Sequence, residues 1–267
     1  MVKVQDILNK IEDFAPLSIK MEGDPSGFQM GDRQKEVKTV MTTLDVRPKV
    51  VQEAIDNKVD LILAHHPIMF HPARNLDLAS PQNQMYRDLL ANNIAVNASH
   101  TNLDKAHGGM NDWLMERLRE NVEIKTSGYL DPDDDYSIGR VGVLAEEMDL
   151  LDFAKRVRDT FKLQNLRYVK SERGQKVKRV ALIGGDAGKF YPEVIKANAD
   201  TFITGDVYYH TAHDMMSNGL NVIDPGHHIE AIFIEKMAHK LSDWSNDYHW
   251  DLNIIQSQVN TEPYNFI

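Results

Sequence analysis

Apolar residues along this chain follow two periodicities in turn. Val37–Leu44 (VKTVMTTL), Asp60–Ala64 (DLILA) and Ile94–Ala98 (IAVNA) are short and almost continuously apolar, the pattern of strands covered on both faces. Between them, Val50–Asn57 and Gln82–Asn92 repeat apolar positions at helical spacing, as in Val51, Ala54 and Ile55. The order then recurs: strands at Val177–Ile183, Asp200–Ile203 and Leu220–Ile223, with helical stretches at Tyr191–Asn198 and Ala212–Asn218. VKTVMTTLD matches VKRVALIGG, VDLILAHHP matches ADTFITGDV, and NIAVNASHTNLD matches GLNVIDPGHHIE. The expectation is an α/β protein of two similar domains, built from a duplicated strand–helix unit with mostly parallel sheets. The domains are expected at residues 1–126 plus 236–267, and at 127–235.

The remaining segments fill in this frame. The N-terminal MVKVQDILNKIEDF is an amphipathic helix pattern carrying acids, unlike a signal peptide with an apolar centre. Asp131–Asp135 (DPDDD) reads as a solvated turn and Gly139–Leu144 as an edge strand. Met148–Phe161 reads as a helix with Leu151, Ala154, Val157 and Phe161 on its apolar stripe, and Arg173-Gly174 as a turn. After Glu230, AIFIEKMAHKL has helical spacing, and LNIIQSQVN reads as a last strand returning to the first sheet.

Composition narrows the function classes. The chain has 267 residues, 42% hydrophobic and 26% charged, ordinary for a soluble globular protein. No apolar run approaches the ~20 residues that span a bilayer. There is no cysteine, which excludes disulfides, zinc–thiolate sites and cysteine nucleophiles, and fits a cytoplasmic location. A net charge of −10 argues against a general nucleic-acid binder. It does not exclude a nucleotide, because bound metals supply local positive charge. The 11 histidines are the unusual feature, several of them in short groups.

Ligands of parallel α/β sheets gather beyond the carboxyl ends of the strands. His65-His66 stands at such an end, and His100 and Asp104 follow the next strand. His227 and Glu230 hold the equivalent place in the second unit. A single histidine at a strand end is more often structural than a ligand; the joint occurrence in two units is harder to dismiss. Imidazoles suit Zn, Fe, Mn or Ni, and carboxylates can bridge two ions. Adjacent residues on extended backbone point opposite ways, so His65 and His66 can serve different metals. His227 and Glu230 share one face of a helical turn, with Gly226 before them allowing close backbone approach. Five protein ligands leave open positions for water, which a metal can ionise near neutral pH. The expected site is thus a pair of divalent ions on His65, His66, Asp104, His227 and Glu230, in a cleft between the domains.

Asp45, Asp206, Tyr209, His210 and His213 are further polar candidates, with helix surface as the bland reading of Tyr209 and His213. GGDAGK (Gly184–Lys189) fails as a P-loop, since three residues rather than four separate Gly184 from Gly188, and Phe190 rather than Ser or Thr follows Lys189.

The stretches GFQMGD (Gly27–Asp32), TTLDV (Thr42–Val46), DLILAHHPIMF (Asp60–Phe70), SHTNLD (Ser99–Asp104), TGDVYYHTAHD (Thr204–Asp214), DPGHHIE (Asp224–Glu230) and NTEPYNF (Asn260–Phe266) span nearly the whole chain. On these the chain resembles the NGG-interacting-factor-three proteins, also named GTP cyclohydrolase I type 2 homologs. The resemblance implies a two-domain α/β fold, a dinuclear metal centre on the five residues above with Glu230 touching both ions, and a ring-shaped homohexamer. It implies a metal-dependent hydrolase acting on a nucleotide or related heterocycle, with GTP ring opening as the named activity. His100 or His210 would then move protons as catalytic residues. A non-enzymatic metal-binding or interaction protein and a metal-dependent phosphoesterase stand as alternatives. Two departures stand out. Asp24-Pro25-Ser26 replaces the family's frequent Trp-Asp-Asn, and Ser127–Gln175 is too short for the domain that many relatives insert there.

Overall fold

The computed structural model describes every residue except Arg173 and Gln175, so the turn expected at Arg173 lies outside the described residues. The chain divides into two compact units, residues 1–106 with 231–262 and residues 107–230 with 263–267. Among the described residues, no helix is long and apolar enough to cross a membrane.

The first unit begins with α1 (Val4–Phe14), whose Val4, Ile7, Leu8 and Ile11 are buried at the expected helical spacing. There follow β1 (Gly27–Met30), β2 (Thr39–Thr43), α2 (Pro48–Asp56), β3 (Leu61–Ala64), α3 (Pro81–Ala91), β4 (Ala95–Ala98) and the short α4 (Thr101–Lys105). Strands β2, β3 and β4 run parallel, and β1 closes one edge antiparallel to β4. Every residue of β3 and β4 is buried, which is why their sequences are almost free of polar side chains. Thr43 pairs with Ala64 and Ala64 with Ala98, so the three parallel strands end level. Residues just beyond them therefore emerge at one sheet edge.

The second unit holds α5 (Met110–Leu118), β5 (Ile124–Tyr129), β6 (Arg140–Asp149), α6 (Leu150–Thr160) and β7 (Arg167–Val169). It continues with β8 (Lys176–Asp186), α7 (Tyr191–Lys196), β9 (Thr201–Gly205), α8 (Tyr209–Ser217) and β10 (Asn221–Asp224). Its sheet has the order β5-β6-β8-β9-β10-β7. Only β8–β9 and β9–β10 are parallel pairs, so this sheet is mixed rather than mostly parallel. The segment read as an edge strand is β6, and it lies inside the sheet between β5 and β8. The edge is β5, whose middle residues are exposed and carry no apolar run to announce it. The buried stripe of α6 is Leu150, Phe153, Ala154 and Val157; Leu151 faces out.

Finally α9 (Ile232–Asp247) packs on β2, and β11 (Asn253–Gln256) joins the first sheet parallel to β2, as its sequence suggested. Helix α5 packs on β8, β6 and α6. Residues 107–126 consequently belong with the second unit, where the sequence reading had placed them in the first. The series α1–β1–β2–α2–β3–α3–β4 and α6–β7–β8–α7–β9–α8–β10 have the same element order. Their strand orders, β1-β4-β3-β2 and β7-β10-β9-β8, also correspond.

Candidate metal centre

In the first unit the candidate residues sit on the turns that follow β2, β3 and β4. His65 is fully buried, and its Nδ1 donates to the Ser99 carbonyl oxygen at 2.7 Å, beyond β4. His66 turns the other way, and its Nδ1 donates to Asp45 Oδ1 at 2.8 Å, beyond β2. The two side chains lean to opposite neighbours, as adjacent residues should, yet their rings remain 4.9 Å apart. His100 Nδ1 donates to Asp24 Oδ1 at 2.6 Å. One ring nitrogen from each of His65, His66 and His100 lies within 4.8 Å of the others, a group that could hold a metal ion. Asp104, one helical turn after His100, brings Oδ1 to 3.6 Å from His65 Nε2.

In the second unit, His227 and Glu230 lie on a 3-10 turn after β10, with His227 Nε2 and Glu230 Oε2 3.2 Å apart. His227 Nδ1 donates to Asp206 Oδ2 at 2.9 Å. Asp206 has a φ of 52°, in the left-handed region that Asp tolerates better than most residues. Asp224, at the end of β10, braces both turns: it accepts from Val207 N at 3.1 Å and Gly226 N at 3.0 Å.

All four imidazoles share one arrangement. Nδ1 donates to a carbonyl or carboxylate, so in the neutral ring Nε2 keeps the lone pair. Metal-ligating histidines are commonly held in this way, which fixes both ring orientation and tautomer. The donor set therefore fits a borderline transition-metal ion, and on that chemistry His65, His66, Asp104, His227 and Glu230 are suitable ligands.

The anchoring carboxylates are themselves perturbed. Burial raises the Asp45 pKa, but the hydrogen bond and attraction of His66, with help from Thr261 and Arg47, outweigh it and bring the value to about 2. Asp24 behaves alike: burial works against ionisation, and the His100 and Ser26 hydrogen bonds hold the carboxyl well below the usual range. Ser26 donates to Asp24 through both its hydroxyl and its backbone N–H. The substituted Asp24-Pro25-Ser26 segment is thus the brace of His100, a role that spacing alone does not reveal.

The Duf34/NIF3 (NGG1p interacting factor 3) profile matches residues 2–263. The chain belongs to the Duf34/NIF3 family. This Duf34/NIF3 chain is 40% identical over 267 residues to the GTP cyclohydrolase 1 type 2 homolog of Streptococcus pneumoniae, with 98% of each covered. The Bacillus subtilis protein of the same name is 30% identical over 370 aligned positions that cover 100% of this chain and 99% of the relative. That relative therefore carries sequence with no counterpart in these 267 residues, in keeping with the short Ser127–Gln175 connection. Among solved structures, the Bacillus cereus protein related to NIF3 matches with a TM-score of 0.93 at 26% identity, covering 100% of this chain and 99% of that one.

Two glycines of this Duf34/NIF3 chain explain themselves only in three dimensions. A Cβ on Gly184 would lie 2.7 Å from Glu230 Oε1, and one on Gly185 would lie 3.0 Å from it. The Gly184-Gly185 pair that failed as a phosphate loop is the bed of the Glu230 carboxylate. Close approach beside Gly226 likewise belongs to another residue. A Cβ on Gly205 would lie 2.7 Å from the Gly226 carbonyl carbon, whereas Gly226 meets a different need, a φ of 83°. His210 lies exposed at the start of α8, its ring near those of Tyr208 and Tyr209, and Tyr209 also touches His213.

Proposed function

We propose that this chain is a metal-dependent hydrolase that holds two divalent ions on His65, His66, Asp104, His227 and Glu230. Its proposed substrate is a nucleotide or related heterocycle. The observation that supports this best is the shared anchoring of the imidazoles, each with Nδ1 on a fixed acceptor. The substrate class comes from the name that relatives carry, GTP cyclohydrolase 1 type 2 homolog. We read the repeated element order of the two units as an internal duplication, with candidate ligands beyond the strand ends of each half. A homohexamer completes the reading, and light scattering on the purified protein checks it.

When bound, the ions supply Lewis acidity and bring a water's pKa towards neutrality. The protein does the rest. Asp45, Asp206 and the Ser99 carbonyl hold three rings in one tautomer. Gly184 and Gly185 leave room for the Glu230 carboxylate. Proton transfer falls to His100, steadied by Asp24, or to His210 on α8.

The test is metal content followed by turnover. Protein reconstituted with Zn, Mn, Fe or Ni should hold two ions per chain and open the guanine ring of GTP, and His66→Ala and Glu230→Ala should abolish turnover. Less than one ion per chain under metal-replete conditions would overturn the reading. Phosphate release without ring opening would make the protein a phosphoesterase. Tight metal binding with no turnover across a nucleotide panel would favour a metal-binding interaction protein, the sense carried by the family's own description.

A further inference from the structure

We infer that the second unit carries a binding site for a short peptide with free ends, in a cavity on one face of its sheet, with the peptide's carboxylate held by Arg179. None of the candidate metal ligands lines this cavity, so the inference does not depend on the metal reading.

Strand register builds the cavity. Thr126 pairs with Val143 and Val143 with Arg179; in the next row Gly128 pairs with Val141 and Val141 with Ala181. Side chains paired across strands share a face. A Cβ on Gly142, between the two valines, would meet Met115 of α5 at 3.4 Å, so Val141 and Val143 face away from α5. On that side Val141 packs with Ala181 and with Val194 of α7. Beside them lies a cavity of about 530 Å³, lined by Thr126, Val141, Val143, Arg179 and Lys196 among others. Small-molecule sites fall in this size range. A Cβ on Gly128 would meet nothing within 4 Å, so the Gly128 row leaves open space.

Charge decides the occupant. Arg179 is half-buried, and its Nε donates to the Ala197 carbonyl oxygen at 2.8 Å, which fixes the guanidinium plane. Among the described residues, its two terminal nitrogens have no hydrogen-bond or ion-pair partner, and neither does Lys196 Nζ. A pinned guanidinium with its fork unpaired suits a carboxylate, which it can hold by two parallel bonds. Asp131, Asp133 and Glu193 line the same cavity. Three carboxylates against two cations disfavour a dianionic phosphate and favour a ligand that also carries an ammonium group. Thr126, in the row of Arg179, and Leu130, just before Asp131, are four residues apart on one extended segment, roughly 13 Å. An extended tripeptide spans roughly 10 Å, and the reach of the arginine side chain covers the rest. Its carboxylate then meets Arg179 and Lys196, its ammonium meets Asp131 and Asp133, and its middle side chain lies over Val141 and Val143.

The experiment is isothermal titration of the full chain, in chelator and in Zn, with the tripeptides Ala-Val-Ala, Ala-Leu-Ala and Ala-Phe-Ala. At least one should bind with a Kd of about 1 mM or tighter, equally in both media. Amidating its C-terminus or acetylating its N-terminus should weaken binding by about tenfold or more. Arg179→Gln should weaken the free peptide by a similar factor and leave the amidated one unchanged. Gly128→Leu, whose side chain grows into open space, should block binding without lowering thermal stability. If Arg179→Gln fails to fold, Arg179→Lys replaces it with the same expected loss, since it keeps the charge and loses the fork. The inference is overturned if none of the three peptides binds, if blocked and free peptides bind alike, or if Arg179→Gln and Gly128→Leu leave affinity unchanged. Binding that requires Zn would move the peptide to the metal centre and overturn it as well. So would a nucleoside monophosphate that binds where Gly128→Leu blocks it while the peptides do not.

Discussion

Asp45 grips His66 with one carboxylate oxygen, Oδ1 at 2.8 Å from Nδ1, and accepts the Thr261 hydroxyl on the other at 2.7 Å. The brace of a candidate ligand is thus itself braced by the strand-following tail of the same unit. Removing it with Asp45→Ala should lower metal affinity by about 10–100-fold, the usual cost of losing such a partner. Asp45→Asn, which can still accept through its amide oxygen, should fall between. Competition titration with Zn measures both, and wild-type affinity in Asp45→Ala would count against His66 as a ligand.

Acid should release the same brace. The Asp45 pKa of about 2 lies below its unfolded value of ~3.9, so its contribution to stability is present above ~3.9 and is lost as pH falls towards 2. In metal-free protein, thermal melts of wild type and Asp45→Asn should converge across that window. A constant gap between them from neutral pH down to about 2 would contradict the assignment.

Two carboxylates at matching places should titrate in opposite senses. Asp60 Oδ2 accepts from Lys38 and Thr39 N–H at 2.8 and 3.0 Å, and Asp200 Oδ2 accepts from Lys178 and Arg179 N–H at 2.9 and 2.7 Å. For Asp60, burial raises the pKa but the Lys35 ion pair and the two amides outweigh it, giving a lowered value. For Asp200, burial dominates and Glu147 adds repulsion, giving a raised value. Asp60 therefore stabilises the fold above its unfolded pKa and loses that as pH falls. The folded protein binds the Asp200 proton more tightly, so stability is lost as pH rises through its pKa. Asp60→Asn should be destabilised at pH 7 with the deficit shrinking in acid. Asp200→Asn should gain on wild type as pH rises above about 4. Denaturant midpoints across this range decide it; parallel behaviour of the two variants would refute the contrast.

Gly184→Ala puts a methyl group 2.7 Å from Glu230 Oε1 and 2.9 Å from Leu114 Cδ1. We expect a loss of about 1–3 kcal/mol in stability from overpacking. Metal analysis should also show partial loss of the ion that depends on Glu230. Full occupancy with unchanged melting would mean that the carboxylate has another place to go.

On the proposed metal-binding reading, treating the metal-loaded protein with a chelator should lower its melting temperature. An ion present at 100–1,000 times its dissociation constant contributes about 2.7–4.1 kcal/mol. Chelator should have a much smaller effect on His65→Ala/His66→Ala, and a scanning-calorimetry pair reads this directly.

Much of the molecule is legible before folding. Strands β3 and β4 are buried on both faces, so their apolar runs could be recognised at once, and the polar residues just beyond them stood out as candidate ligands. Strands β1, β5 and β7 left no such trace: they lie at sheet edges with mostly half-exposed or exposed positions, where composition is hardly constrained. The interior place of β6 was equally hidden, because antiparallel pairing on both sides leaves much the same alternation as an edge.

By itself, the sequence determined which residue types stand at strand ends, since burial of a parallel strand forces an apolar run and the chain's His, Asp and Glu stand out where it stops. It did not determine how those side chains are held. The partner of His100 lies 76 residues away in Asp24, and Glu230 rests against Gly184 and Gly185. Ring orientation and tautomer follow from such distant hydrogen bonds, which have no periodicity in the sequence and exist only once the sheets have brought their turns together.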